Sequence, residues 1–388
     1  MIRSWLTDWA PLSPAAFVAR PRKDLPFPLA EPSAQVYACG RHCVWYGARA
    51  LGLGEGDQVL SPAYHAGPDV EALLQLGVHV RLYGGTPELE PDPAELERLL
   101  TPATRALYLV HHLGFAADAP RWRRWCDERG LLLMEDAAQG FMSELDGRPL
   151  ASFGDFGFTC AYKKLPVPNG AFALCRQPLE PPTGRQPFGW SRDWEPVDQR
   201  SSVAHELAAW AGQRVGMIGA LRSRLLSARR RGDRPPFDPA HHVRIVDVNE
   251  RPTRLSLFLM PRVARFSVRE IRRRNYSRLL DALGDYVVEP FDALTPGACP
   301  WFFPVRTPSP REAVLDLLRR GVSTIHYWAA GHPAVEDEKF PDVAERRATT
   351  LALPVHQGLS TKDVDLIAEA VIQVLPKIVA RRRHALAT

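Results

Sequence analysis

The stretch LLLMEDAAQG, Leu131 to Gly140, runs four large apolar side chains directly into two adjacent carboxylates. A short continuous apolar run is typical of a strand that is buried on both faces of a parallel sheet. In open α/β sheets, ligands bind beyond the carboxyl ends of the strands, and Asp136 stands at such an end. Burial of an isolated charge is costly, so this carboxylate needs a charged or hydrogen-bonding partner. The stretch therefore predicts a ligand site at the edge of a sheet.

Similar apolar runs alternate with amphipathic segments from about residue 34 to residue 175. The predicted strands before the opening stretch are Gln58–Ser61, Val78–Tyr83 and Ala106–Val110. The predicted crossover helices are Asp69–Leu76, Pro93–Leu100 and Pro120–Arg129. Strands linked by crossover helices indicate the α/β class with a mostly parallel sheet.

The second half of the chain has a different character. Residues 176–240 are dense in Pro and Arg and are predicted to be irregular, apart from one helix from Ser202 to about Leu226. The elements predicted after Val248 are helix 261–283, strand 301–305, helix 311–321, strand 324–327 and a last helix from 362 to about 381. We therefore expect a large domain over residues 1–245 and a smaller C-terminal α+β domain over residues 246–388.

Composition narrows the class of protein. Hydrophobic residues make up 45% of the 388 residues and charged residues 24%, which is typical of a globular protein. The net charge of +5 resides in arginine runs at 229–231, 272–274 and 381–383, and such short runs are more typical of solvated helix faces than of a nucleic-acid groove. No apolar run is long enough to cross a bilayer. The six cysteines show no paired spacing, so we expect a cytoplasmic protein with reduced thiols and without a structural metal. From the short arginine runs and the short apolar runs we expect no nucleic-acid partner and no membrane partner.

A protonated ring nitrogen is one partner that would stabilise a buried carboxylate. Pyridoxal phosphate carries such a nitrogen, and an acidic residue beside it keeps the ring an electron sink. This hypothesis requires a phosphate-binding turn upstream and a lysine downstream. Gly40 precedes a predicted helix and so offers free backbone N–H groups to a phosphate, while Lys163 and Lys164 follow Asp136 in the chain.

Several ordered motifs resemble the DegT/DnrJ/EryC1/StrS family of sugar aminotransferases, over roughly residues 35–175 and 245–375. Beyond Gly40, the motifs are LGLGEGD (51–57), LSP (60–62), VHHLG (110–114), EDAAQ (135–139), GDFG (154–157), GVSTIHY (321–327) and LPVH (353–356). The resemblance implies the fold of aspartate aminotransferase, which is fold type I of the pyridoxal phosphate-dependent transferases, with a large domain around a mostly parallel sheet and a smaller C-terminal domain. It also implies the cofactor pyridoxal phosphate and a homodimer with its active sites at the subunit interface.

The same resemblance assigns residues to roles. Asp136 would pair with the pyridine nitrogen, and Gln139 would lie beside the ring hydroxyl. Asn249 resembles the asparagine that reaches the phosphate bound by the neighbouring subunit. The family pattern places one residue between the Schiff-base lysine and a leucine, which favours Lys163. The loop before it is two residues shorter than usual, so Lys164 stays an alternative.

Three further positions depart from the family pattern around the cofactor. Arg41 replaces a small hydroxyl residue, and its guanidinium is a good phosphate partner. Cys160 stands where a serine commonly donates to the phosphate. The aromatic residue that usually stacks on the ring corresponds to Ala66, so Tyr64 or His65 is expected to take its place.

The predicted function is transfer of an amino group from an amino acid, with glutamate the expected donor, to a keto sugar or a similar ketone. The lysine would hold the cofactor and then act as general acid and base. Two alternatives remain at this point. One is a dehydratase or another non-transaminating enzyme on the same scaffold, and the other is a regulatory relative without catalysis.

Overall fold

A seven-stranded sheet forms the centre of the larger part of the molecule. The computed structural model describes residues 5–189, 203–214 and 247–387. Outside this sheet, β6 (Glu144–Leu145) and β7 (Arg148–Pro149) form a small ribbon. The strands of the large sheet are β1 (Gln35–Tyr37), β2 (Gln58–Pro62), β3 (His79–Tyr83), β4 (Thr104–Val110), β5 (Leu132–Ala137), β8 (Phe156–Cys160) and β9 (Ala171–Cys175).

The spatial order of the large sheet is β1-β9-β8-β5-β4-β2-β3. The five strands from β3 to β8 run parallel to one another, whereas β8 pairs with β9 and β9 pairs with β1 in antiparallel fashion. The predicted α/β class with a mostly parallel sheet is thus confirmed. The antiparallel edge formed by β9 and β1 has no counterpart in the sequence prediction.

Strand β5 is longer than its apolar run. It reaches Ala137 because Glu135 and Asp136 pair with Leu109 and Val110 of β4 on one side and with β8 on the other. Successive side chains of a strand point to opposite faces. Met134 and Ala138 therefore lie in one core and Leu133 and Ala137 in the core on the other face. Asp136 and Glu135 follow the same alternation and end on opposite faces of the sheet.

Helices cover both faces of this sheet. Cys43 and Val44 of α2 pack in the core on the Asp136 face, and Trp122 of α5 packs in the core on the Glu135 face. The three predicted crossover helices are present, with their ends displaced by at most two residues. The helices up to β9 are α1 (Ala15–Val18), α2 (Gly40–Ala50), α3 (Pro68–Leu74), α4 (Pro93–Leu99) and α5 (Ala119–Asp127).

A three-stranded antiparallel sheet of order β10-β12-β11 organises the second core. Its strands are β10 (Phe302–Arg306), β11 (Ile325–His326) and β12 (Thr350–Pro354). The helices of the second half are α6 (Val203–Arg214), α7 (Arg254–Val263), α8 (Ser267–Leu283), α9 (Pro310–Arg319), α10 (Pro341–Thr349) and α11 (Thr361–Ala387). The prediction of a single helix over residues 261–283 was wrong, because two helices divide this range. The first ends at Val263 and the second begins at Ser267.

Both cores draw residues from either side of position 245. Leu259 and Met260 of α7 pack in the core of the large sheet, and Leu6 packs in the core of the small sheet, where it pairs with Val322. The domain boundary between residues 245 and 246 stays a prediction. Of the predicted helix 202–226, residues 203–214 are helical, and the remainder lies outside the described residues, as does the arginine run at 229–231.

Candidate active site

The carboxyl ends of the parallel strands bring several of the predicted site residues to one edge of the large sheet. Tyr64 and His65 follow β2, Asp136 lies near the end of β5, and Cys160 ends β8 with Lys163 three residues beyond it. Because parallel strands end at a common edge, residues far apart in sequence converge there. The edge carries carboxylates, an amine and imidazoles, which are the groups of acid and base chemistry.

Asp136 is held by two neutral donors. The Tyr108 hydroxyl donates to Oδ2 at 2.9 Å, and the backbone N–H of Ala138 donates to Oδ1 at 2.8 Å. Burial and the nearby Asp69 raise the pKa of Asp136 to about 6, while Lys163 acts in the opposite direction. The carboxylate is thus oriented but undercompensated, so a cationic ligand beside it would stabilise its charge.

Glu135, its neighbour in the chain, has a structural role. It is fully buried on the opposite face and accepts the backbone N–H groups of Ala151, Phe153 and Gly154. His111 Nε2 lies 3.2 Å from Glu135 Oε1, and Ala117 N–H donates to His111 Nδ1 at 3.0 Å. Glu135 and His111 therefore organise the loops around the site and are not aimed into it.

Helix α2 presents its amino-terminal end to the same edge. A Cβ atom at Gly40 would lie 2.8 Å from Phe158 Cε2 and 3.1 Å from Cys160 Sγ, so the first turn of α2 packs directly on β8. Arg41 and His42 are buried in this turn. Burial acts to raise the pKa of the Cys39 thiol at the N-cap, yet His42 and Arg41 leave the pKa lowered. Positive charge and the helix dipole thus coincide here, as an anion site requires.

The two adjacent lysines have different environments. Lys164 is 1% exposed, and its Nζ donates to the carbonyl oxygens of Phe141, at 3.0 Å, and Cys299. Burial lowers the pKa of Lys164 to about 8. Lys163, at the end of a short 3-10 turn over Ala161–Lys163, places its Nζ 4.9 Å from the centre of the Trp301 ring and interacts electrostatically with Asp136. The amine that faces the carboxylate edge is therefore that of Lys163.

Gln139 is oriented from both sheets. Its Oε1 accepts the backbone N–H of Leu113 at 2.5 Å and the hydroxyl of Tyr327 at 2.9 Å. Tyr327 directly follows β11 of the small sheet. Since the oxygen is engaged twice, the amide nitrogen is the end of the side chain that can donate to a ligand.

Tyr64 and His65 form a second group at the edge. The Tyr64 ring centre lies 5.4 Å from that of His112 and 4.9 Å from that of Trp328. His65 is 1% exposed, and neither ring nitrogen has a hydrogen-bond partner among the residues that the structure describes. Burial lowers the pKa of His65 well below its usual range, so the ring is neutral near pH 7. The ring is thus able to pair with a polar ligand.

Asn249 lies apart from the other predicted residues within one chain. Its Oδ1 accepts the hydroxyl of Tyr46 at 2.8 Å, and Tyr46 stands six residues beyond Gly40 on α2. The role predicted for Asn249 at the neighbouring subunit's phosphate stays a prediction. In the described ranges no helix is long and apolar enough to span a membrane, and no group of three His, Cys, Asp or Glu side chains is arranged to hold a metal ion.

Two residues of the edge were missed by the sequence analysis. Tyr108 lies in the middle of β4, where its hydroxyl cannot be told from an apolar face by pattern alone. Asp69 is buried beside His65, with Nδ1 of the histidine 3.8 Å from its Oδ1. An acid in the first turn of a helix is ordinary, so the pattern around Asp69 indicates only the start of a helix.

Residues 36–167 match the model of the DegT/DnrJ/EryC1/StrS aminotransferase family. The family resemblance predicted from the sequence motifs is thereby confirmed over this stretch. The matched residues run from β1 to just beyond the two lysines and include Gly40, Asp136 and Lys163.

Curated relatives carry the names of sugar aminotransferases. The chain is 33% identical over 127 residues to UDP-N-acetyl-3-dehydro-alpha-D-glucosamine 3-aminotransferase of Acidithiobacillus ferrooxidans, which covers 31% of this chain and 33% of that protein. It is 25% identical over 342 residues to dTDP-4-dehydro-2,3,6-trideoxy-D-glucose 4-aminotransferase of Saccharopolyspora spinosa, which covers 85% of this chain and 81% of that protein. The chain spans about a third of the length of the first curated relatives that it matches.

The fold is that of solved aminotransferases. NtdA of Bacillus subtilis, whose structure is described with bound cofactor PMP, matches with a TM-score of 0.58 at 17% identity, over 88% of this chain and 73% of that chain. PMP is the amino form of pyridoxal phosphate. The predicted fold, that of the pyridoxal phosphate-dependent transferases, is thereby confirmed.

The residues of the site fit pyridoxal phosphate. Asp136 is a buried carboxylate that a cationic ring would compensate, and the first turn of α2 has the charge that a phosphate needs. Lys163 supplies an amine that interacts electrostatically with Asp136 and Cys160. The unpaired ring nitrogens of His65 show that a polar ligand would also satisfy a buried group of the protein.

Proposed function

We propose that this chain is a pyridoxal phosphate-dependent aminotransferase. The acceptor class is a keto sugar or a similar ketone of sugar, polysaccharide or secondary-metabolite biosynthesis, and the expected donor is glutamate. The observation that carries the proposal is the buried, undercompensated carboxylate of Asp136 at the carboxyl edge of the sheet, with which the Lys163 amine interacts electrostatically. The names of the relatives support the acceptor class, because each printed name describes amino transfer to a ketone of a sugar derivative.

Three side chains of the site have separate roles in the proposed reaction. When bound, pyridoxal phosphate supplies a cationic ring that withdraws the electron pair released at the substrate carbon. Asp136 keeps the ring nitrogen protonated, and Gln139 donates its amide N–H to the ring hydroxyl. Lys163 Nζ would hold the cofactor and, once free, would accept the proton from the substrate carbon and give a proton back.

The first turn of α2 and the residues beside it would bind the phosphate. Gly40 lets the backbone N–H groups of the first turn approach the anion, and the Arg41 guanidinium adds a charge-assisted partner. Cys160, which a Cβ at Gly40 would approach to 3.1 Å, lies beside this turn. Tyr64 and His65 border the ring on the β2 side.

A homodimer is part of the proposal. Leu257 and Phe258 on α7 and Phe266 just beyond it are exposed by 40% or more, which is unusual for side chains of this size on a free surface. Asn249 lies shortly before α7 in the chain. We expect this face to form a twofold contact and Asn249 to have its predicted role across it. The cytoplasmic location stays a prediction from the reduced thiols.

Borohydride reduction of the cofactor-loaded protein tests the proposal directly. Reduction fixes a lysine-bound pyridoxyl group, and peptide fragmentation then locates the added mass. We expect the label on Lys163, because the Lys164 amine is committed to two carbonyl oxygens in the core. Addition of glutamate before reduction should prevent labelling and release 2-oxoglutarate, which a dehydratase acting without transamination would not do.

Two lysine variants form the matched control. Lys163→Ala should abolish the cofactor absorbance band and glutamate turnover with little loss of stability. Lys164→Met should keep the band while lowering the free energy of unfolding by about 1–3 kcal/mol, because two buried carbonyl groups lose their donor. A wild-type protein that takes up no cofactor, or a label on Lys164, would contradict the assignment.

A further inference from the structure

The indole of Trp301 borders the amine that the proposed reaction uses. Lys163 Nζ lies 4.9 Å from the centre of the Trp301 ring, within the distance at which the face of an indole attracts an ammonium group. Trp301 directly precedes β10 and is 8% exposed, so the ring is largely removed from solvent. None of the roles in the proposed reaction uses this ring.

The backbone of Trp301 is tied to both sides of the site. Its N–H donates to the carbonyl oxygen of Leu113 at 2.8 Å, and the N–H of Leu113 donates to Gln139 Oε1. The carbonyl oxygen of Trp301 accepts from Arg272 Nη1 at 3.1 Å, while Arg272 Nη2 donates to the carbonyl oxygen of Lys164 at 3.2 Å. One guanidinium therefore fixes the indole and the lysine turn relative to each other.

Three other rings fix the orientation of the indole. The ring centre of Trp301 lies 5.6 Å from that of Trp9, 4.7 Å from that of Phe302 and 6.3 Å from that of Tyr327. The contacts with Trp9 and Tyr327 are edge-to-face, a geometry that stabilises aromatic pairs beyond the area that they bury. A ring packed in this way keeps a fixed face toward the amine.

The side chain of Lys163 needs a boundary because its four-carbon stem is flexible. Within the described part of the chain, its amine forms no hydrogen bond and no ion pair. Asp69, Asp136 and Cys160 interact with it electrostatically, but neither carboxylate forms an ion pair with it. The face of the Trp301 ring is thus the direct contact of the charged group.

We propose that Trp301 is a positioning residue for the active-site lysine, whose protonated amine it holds against its indole face before the cofactor binds. The inference rests on the proposed function for its catalytic meaning, whereas the contact itself belongs to the cofactor-free protein. An aromatic face stabilises an ammonium group and not a neutral amine. The protonation of Lys163 therefore depends on the ring at position 301.

Competitive labelling of lysines in the cofactor-free, full-length protein tests this dependence. Reaction with an amine-acylating reagent across a pH series, followed by peptide mass spectrometry, gives the midpoint of Lys163 protonation. Trp301→Leu removes the aromatic face and should lower this midpoint by about 0.5 pH unit. Trp301→Phe keeps a face with weaker attraction and should lower it by less. Asp69, Asp136 and Cys160 are present in every variant, so their influence on the amine is retained.

Trp9→Leu is the matched control. It removes an indole of the same size that packs on Trp301, and it should leave the Lys163 midpoint unchanged. Urea unfolding should show a loss of stability in both leucine variants, so a midpoint shift in Trp301→Leu alone is not a consequence of lower stability. A Trp301→Leu midpoint equal to or above that of wild type, or an equal shift in Trp9→Leu, would overturn the proposal.

Two further outcomes keep the inference separate from folding and from the proposed function. If Trp301→Leu does not fold, Trp301→Phe decides, because equal midpoints in that variant and in wild type would overturn the role of the ring. A wild-type protein that takes up no pyridoxal phosphate would overturn the proposed function, while the labelling result would still decide whether Trp301 holds the amine.

Discussion

Adjacent carboxylates in one strand can have opposite roles when they point to opposite faces. Glu135 accepts three backbone N–H groups in a loop that it fixes, whereas Asp136 accepts one N–H and one hydroxyl. A carboxylate with several donors is stable without a ligand. The difference in donor number, more than the shared burial, identifies Asp136 as the residue of the pair that is suited to bind a cation.

Replacement of Asp136 should reveal this difference as a dependence of stability on pH. Burial raises the pKa of Asp136 in the folded protein to about 6, above the ordinary value of 3.8. Folding therefore favours the neutral acid, and ionisation destabilises the fold as the pH rises from 4 through 6. Asp136→Asn cannot ionise. In urea unfolding of cofactor-free protein, we expect the free energy of unfolding of the variant to rise by about 3 kcal/mol relative to that of wild type between pH 4 and pH 8.

Added cofactor provides the control for this experiment. A bound cationic ring compensates Asp136, so added cofactor should restore the free energy of unfolding that the wild-type protein loses by pH 8. Asp136→Asn should bind the cofactor more weakly than the wild type does. A difference between variant and wild type that stays constant from pH 4 to pH 8 would mean that Asp136 is already compensated by the protein.

Residue roles were predictable from sequence only where the pattern was local. The strand and its terminal acid predicted the position of Asp136 at the sheet edge. The choice between Lys163 and Lys164 was not local, because it depends on the carbonyl oxygen of Cys299, 135 residues away, which accepts from Lys164.

At the scale of elements, helix α2 depends on two glycines that allow it to lie against β8. A Cβ at Gly40 would approach Phe158, and a Cβ at Gly47, two turns along, would lie 2.2 Å from Phe156 Cε2. Both contacts are on the same face of the helix, as the spacing of seven residues requires. Close packing at both points fixes the direction in which the first turn of α2 faces the site.

Gly47→Ala should therefore destabilise the protein although alanine is the better helix former. Contact with the Phe156 ring forces a shift of the helix or the ring, and overpacking of this kind costs about 1–3 kcal/mol, which exceeds the gain of about 1 kcal/mol in helix propensity. Gly284→Ala is the matched control, because nothing lies within 4 Å of its added Cβ and its backbone has φ of −50°. Equal urea midpoints for the two variants would show that Phe156 yields without cost.

Elements were predictable to the extent that their periodicity was strong. Four of the five parallel strands and their crossover helices lie close to their predicted positions, whereas β8 was not predicted. Strands β1 and β9 were missed because they are short, with three and five residues, and are defined by long-range antiparallel pairing, β9 with β8 and β1 with β9. The break between α7 and α8 at 264–266 was missed because arginine-rich flanking residues continue the helical pattern across it.

At the scale of the whole molecule, the site lies where the two cores meet. Tyr327 of the small-sheet region orients Gln139, and Arg347 of α10 binds the carbonyl oxygens that follow β2. Arg272 of α8 reaches the carbonyl oxygen of Lys164 at 3.2 Å. These polar contacts connect residues 108 or more positions apart, so the composition of either half could not predict them.

Arg272 should be the most costly of these links to remove. Its fully buried guanidinium also donates to the carbonyl oxygens of Pro300 and Trp301, both at 3.1 Å, and to Gln357 Oε1 at 3.0 Å. Burial lowers the pKa of Arg272 to about 10, so the side chain stays charged near pH 7 and its donors stay in place. Arg272→Met would leave several buried acceptors unpaired, and we expect a loss of about 2–4 kcal/mol in the free energy of unfolding.

Arg278→Met on the same helix separates this effect from loss of an arginine as such. Arg278 pairs with Asp365 at the surface, where the ion pair is screened by solvent, so its removal should leave the urea midpoint near that of wild type. Because Arg272 holds the backbone of Lys164, its loss should also move Lys163 and weaken cofactor binding, whereas Arg278→Met should bind as wild type does. Retention of both stability and cofactor affinity in Arg272→Met would mean that the two cores position the lysine turn without this contact.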